Sequence, residues 1–133
     1  MATRGRIGIE LSDGSILSAY HHWDSYPQWL GKKLVEHFNS RELASELIDG
    51  GDMSCCWTKD RWDGKESSED GPQYYSQRGE DCPPRVDTNL LAYTYKESGE
   101  EYHYLFTKGE WVCYDMHSFD YRKHPEITEI PSN

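Results

Sequence analysis

In TRGRIGIEL, residues 3–11, apolar and polar positions alternate. Ile7, Ile9 and Leu11 fall on one side and Arg4, Arg6, Gly8 and Glu10 on the other, the period-two pattern of a strand with one buried face. SDGS supplies turn residues and ILSAYHH, residues 16–22, reads as the return strand, so the chain is predicted to open with a β-hairpin. The period then lengthens. Pro27 suits a first helical turn, Asp24 or Ser25 can cap the free amides ahead of it, and Leu30, Leu34 and Phe38 recur at i, i+4 and i+8 with Val35 beside them. A helix to about Asn39 is expected. Gly31 inside that stripe costs about 1 kcal/mol against Ala, which marks a close approach to a strand or ligand. Ser40 can cap a second short helix, RELASELID, with Leu43, Leu47 and Ile48 inward and Gly50 as its stop.

Between Lys59 and Arg85 neither period is present. The run is rich in Gly, Pro, Ser and charge and predicts a long loop, ordered over a site because Trp62, Tyr74 and Tyr75 are costly to leave in water. Asp87 or Thr88 can cap a third helix through about Lys96, ended near Gly99. EYHYLFT, residues 101–107, turns through KGE into EWVCYDM, residues 110–116, with Tyr102, Tyr104 and Phe106 on one face and His103 and Leu105 on the other. The tail FDYRKHPEITEI adds an edge strand ending at Pro131. Helices grouped between hairpins, with no βαβ rhythm, predict a single α+β domain over 1–133: a mainly antiparallel sheet from N- and C-terminal hairpins and about three helices.

Composition narrows the partners. With 133 residues there is length for one core, and ten Tyr and five Trp supply much of the area that a 35% apolar content lacks. A net charge of −10 opposes binding to nucleic acid, whose affinity comes largely from Lys and Arg. MATRGRIGIE lacks the apolar run of a signal peptide and no stretch approaches a membrane span, so a cytoplasmic protein without membrane contact is expected. Cys55, Cys56, Cys82 and Cys113 are then free thiols, and with no CxxC spacing no metal or other cofactor is expected.

The strings TRGRIGIELSDGSILSAYHHWDSYPQWLGKKLVEHF, ELIDGGDMS and QYYSQRGED resemble a family of small uncharacterised proteins encoded by tailed phages, which share a TR-x-RIG strand, a DGS turn and an HWD-x-YP-x-x-LG helix start. The resemblance covers about residues 3–82. It implies a viral origin and expression inside a bacterial host cell, and carries no activity or catalytic residue with it. By analogy it suggests host takeover or anti-defence.

The densest chemistry lies in HHWDSYPQWLG. Arg4 and Arg6 share a strand face and can address phosphates together, with Tyr20 and His22 beside them on the return strand. Trp23, Asp24 and Tyr26 precede a helix start, where free N–H groups favour an anion. Aromatic faces stack on bases, Asp52 of IDGGDMS can read amino or hydroxyl groups, and Tyr75 and Arg78 of the long loop can close over a ligand. These ten residues suit a small nucleotide-like ligand. Plainer roles stand beside each: ion pairing for the arginines, packing for Trp23, a helix cap for Asp24, a helix stop for Asp49 and Asp52. No catalytic spacing motif is present, so sequestration of a host immune signal is the leading expectation and a nucleotide-processing enzyme an alternative. A second alternative is an acidic inhibitor that binds a host protein through its Asp and Glu residues. The aromatic hairpin from Tyr102 to Tyr114 offers an exposed edge and more apolar area than a small monomer easily covers, which predicts a homo-oligomer.

Overall fold

The computed structural model describes residues 3–56, 73–94, 100–116 and 126–130. Strands β1 (Gly5–Glu10) and β2 (Ile16–His21) pair antiparallel with Ile7 opposite Ala19, as the alternation predicts. The turn between them closes on Asp13, whose Oδ1 accepts from the Ser15 amide at 3.0 Å. After β2 the chain makes a π-helical turn, Pro27–Gly31, that runs directly into helix α1 (Lys32–His37). Pro27 stands at the helix start as expected, but the cap does not. The capping position belongs to Tyr26, whose side chain makes no capping hydrogen bond, while Asp24 takes a left-handed φ of 57° and the Ser25 hydroxyl donates to the His21 carbonyl at 3.1 Å.

Helix α2 (Arg41–Asp49) is capped by Ser40, whose oxygen accepts from the Leu43 amide at 3.2 Å. Leu47 and Ile48 are buried, but Leu43 remains 42% exposed. Strands β3 (Met53–Cys55), β4 (Gln73–Tyr74) and β5 (Arg85–Asp87) follow, with a 3₁₀ turn over Tyr75–Arg78. The described part of the predicted long loop therefore contains β4, the 3₁₀ turn and the start of β5, while residues 57–72 lie outside the described ones. The third helix is a single turn, Leu90–Tyr93, capped by Asn89 rather than Asp87 or Thr88, so among the described residues only two helices exceed one turn. Its predicted continuation toward Lys96 lies outside the described residues.

Strands β6 (Tyr102–Thr107) and β7 (Glu110–Asp115) form the second hairpin, and β8 (Glu126–Thr128) pairs with β7. The described strands form one eight-stranded sheet of order β4-β3-β2-β1-β6-β7-β8, with β5 on β2. The β1–β6 and β2–β3 pairs are parallel and the others antiparallel, so the fold is α+β with a mainly antiparallel mixed sheet. The aromatic hairpin is interior to it, flanked by β1 and β8, with Tyr104, Phe106, Trp111 and Tyr114 buried. The edge that argued for self-association is thus covered.

One face packs Ile7, Ile9 and Ala19 against Leu30, Leu34, Leu47 and Ile48. Buried polar tips find partners there: the Tyr104 hydroxyl donates to the Ser25 carbonyl at 2.6 Å, and Trp111 Nε1 to the Phe38 carbonyl at 3.0 Å. The close approach expected at Gly31 is made by Ile130, whose Cγ2 would lie 2.9 Å from an added Cβ. The opposite face holds a smaller core of Ile16, Tyr93, Leu105, Tyr114 and Met116.

Gly51 joins α2 to β3 with φ of +85°, and a Cβ there would overlap the Cys82 carbonyl oxygen, which also accepts from the Asp52 amide at 2.9 Å. Gly51→Ala should cost about 1–3 kcal/mol, combining a left-handed φ with a collision against fixed backbone. Urea unfolding measures it. A loss under about 0.5 kcal/mol would show that Cys82 does not sit against this turn.

Candidate functional site

The face of β1 opposite Ile7 carries Arg6, Arg4 immediately precedes the strand, and the β1–β2 register sets Tyr20 across from Arg6. Arg4 is exposed, with its backbone fixed on both sides by Glu101: its amide donates to Glu101 Oε2 at 3.2 Å and its carbonyl accepts from the Glu101 amide at 2.8 Å. The Arg4 guanidinium lies close enough to the Tyr20 phenol for its charge to bear on it. That phenol lies 2.7 Å from His22 Nδ1. Tyr20 and His22 thus share one hydrogen bond, with Arg4 beside the phenol. Burial pushes the Tyr20 phenol up to about 12, with the Arg4 charge opposing it. Burial and then Arg4 hold His22 below its usual value, so it is neutral at pH 7.

Trp23 meets the His22 ring edge-on at 4.7 Å. Both residues are laid along β3: the His22 amide donates to the Met53 carbonyl at 3.2 Å and the Trp23 amide to that of Ser54 at 3.0 Å. Tyr20, His22 and Trp23 thus lie together, with Arg4 near enough for its charge to bear on Tyr20 and His22. Tyr75 stands near enough for its charge to bear on Tyr20.

Arg6 has different surroundings. It is buried, its Nε donates to Ser18 Oγ at 3.0 Å and its Nη2 to the Ser18 carbonyl at 3.2 Å, and Nη1 lies 3.6 Å from Glu100 Oε1. His103, opposite Arg6 on β6, packs edge-on against Tyr93 at 4.9 Å with neither ring nitrogen hydrogen-bonded, and Glu100 Oε2 is likewise without a partner. Burial first, then the charges of Arg6 and Arg85, push His103 down to about 3. Of this buried group, sequence reasoning placed His103 on the right face but missed Glu100, whose pairing with Arg6 no local pattern reveals.

His21 belongs to the other face, where its Nδ1 lies 2.9 Å from Ser25 Oγ and its Nε2 accepts from the Cys56 amide at 3.1 Å. An accepting Nε2 places the proton on Nδ1, directed at Ser25, so the ring is a neutral strut between β2 and β3. Asp52 is not an open reader of ligand groups through Oδ1, which accepts from the Tyr20 amide at 2.9 Å. Burial raises the Asp24 carboxyl above the usual range, with the neighbouring Tyr26 opposing it. Arg78 ends the 3₁₀ turn that Tyr75 begins.

Among the described residues no three or more His, Cys, Asp or Glu side chains are arranged to hold a metal ion, no helix is long and apolar enough to cross a membrane, and the four cysteines are free thiols. Two open clefts lie away from Arg4, one of about 440 Å³ between Val35 and the β7–β8 end and one of about 330 Å³ beside Trp29, Lys32 and Lys33. Comparison of the chain with protein-family models, with curated proteins and with solved structures finds no match.

Proposed function

We propose that the chain is a non-enzymatic binding protein whose Arg4 face holds a small nucleotide-derived anion. The observation that carries this reading is the exposed Arg4 beside the Tyr20–His22 hydrogen bond, which ends against Trp23: a guanidinium to meet a phosphate, next to aromatic rings that suit a base. Arg6 acts here as a buried support, since its guanidinium is engaged by Ser18 and Glu100. Carboxylates that acid–base chemistry would need have structural duties: Asp52 holds the Tyr20 amide and Glu100 neutralises Arg6. Sequestration fits this better than turnover. The resemblance to small tailed-phage proteins makes a host immune signal inside a bacterium the ligand class to try first.

The protein incubated with nucleotide signals, then denatured and chromatographed, should return the ligand unchanged. Arg4→Ala should weaken binding about 10- to 100-fold, the loss of a charge-assisted hydrogen bond to phosphate, while thermal unfolding stays cooperative. Recovery of a converted product would establish an enzyme instead, and full affinity in Arg4→Ala would move the site elsewhere.

A further inference from the structure

We propose that the groove at the β8 edge is a docking site for an extended, basic segment of a partner protein. Among the described residues four large hydrophobic side chains are exposed, and two of them, Val35 at 41% and Ile127 at 68%, line this one groove. Trp111 and Ile130 contribute further apolar lining, and the volume of about 440 Å³ accommodates one or two aliphatic side chains.

The edge defines the form of the occupant. In the strand order β8 stands at the end, with β7 as its neighbour among the described residues. A segment in extended conformation can align with β8 and place alternate side chains into the groove, which is the geometry of strand addition.

Charge defines its sign. Among the described residues Glu110 and Glu129 line the groove and no Lys, Arg or His does, with Lys108 in the adjoining turn outside the lining. The whole chain carries −10. A second copy would bring the same acids and the same net charge against this surface, whereas a Lys- or Arg-bearing segment meets complementary carboxylates and is steered toward them. The occupant is therefore a basic partner rather than another copy. This surface lies apart from Arg4, so the inference does not depend on the ligand reading above.

The test uses a fluorescent synthetic peptide of alternating Val and Lys, with a Val–Glu peptide as control, and anisotropy on the full chain. The Val–Lys peptide should bind, weaken at least about tenfold in Ile127→Lys, and weaken as salt approaches about 1 M, where screening shortens to about 3 Å. Ile127 is exposed enough for that variant to fold, and Glu129→Lys provides an independent probe expected to weaken binding. Arg4→Ala should leave peptide affinity unchanged. Equal binding of both peptides, indifference to Ile127→Lys and Glu129→Lys, or light scattering that shows a dimer dissociated by Ile127→Lys would each overturn the proposal.

Discussion

Lowering the pH from 7 to 5 should remove about 4 kcal/mol of folding stability. The cause is a pair of buried neutral histidines. Burial, followed by the neighbouring His22 charge, pushes His21 down to about 3, and burial with the Arg6 and Arg85 charges does the same to His103. Unfolded, both return to about 6.5. Below that value the unfolded chain binds protons that the native state refuses, so stability is fully present above pH 6.5. It then falls by about 1.4 kcal/mol per pH unit for each ring until the native rings themselves titrate near pH 3. Urea unfolding across this range measures the slope. His103→Leu should halve it and leave the protein at least as stable at pH 7, because an apolar side chain of similar bulk replaces two ring nitrogens that bond nothing. His21→Leu, in contrast, deletes the Ser25 and Cys56 hydrogen bonds and should destabilise. A profile flat from pH 7 to 5 would show that both rings reach water.

Glu100→Ala should cost about 3–5 kcal/mol, since it leaves the Arg6 guanidinium buried without a counter-charge. Arg6→Ala should cost a similar amount by stranding Glu100. The pair as such contributes much less than either loss, because taking both charges out of water opposes their attraction. Replacing the two together, Arg6→Met with Glu100→Leu, should therefore restore most of the stability. Chemical denaturation of the three variants measures both effects. A Glu100→Ala protein within about 1 kcal/mol of the native one would mean that water screens the pair as it does at a surface.

Arg4 and Arg6 illustrate what the sequence conveys and what it withholds. Period-two alternation placed both on one face with Tyr20; the register sets Arg6 opposite Tyr20, while Arg4 falls just ahead of the strand. The same pattern says nothing of Glu100, which reaches Arg6 from far along the chain and makes one arginine buried support while Arg4 stays exposed. Ser40 was readable as a cap because capping is local. Asp24 was misread because its left-handed turn leaves Tyr26 at the helix start. Strands β3, β4 and β5, of three, two and three residues, are too short to show a period, and exist because β2 and its neighbours supply pairing partners. Both hairpins were legible, but their junction through a parallel β1–β6 pair was not.

That junction governs how the chain folds as it emerges from a ribosome. The contact between Arg4 and Glu101 spans 97 positions, and the whole β1–β6 ladder lies at comparable separation. At typical synthesis rates the first hairpin waits roughly 5–15 s for its central partner, with one side of β1 open to passing strands. High contact order of this kind slows folding and prolongs exposure to aggregation. Arg6, within that waiting edge, serves meanwhile as a gatekeeper: a charge that a stray hydrophobic strand cannot bury, and that β6 accommodates only because Glu100 arrives immediately ahead of it.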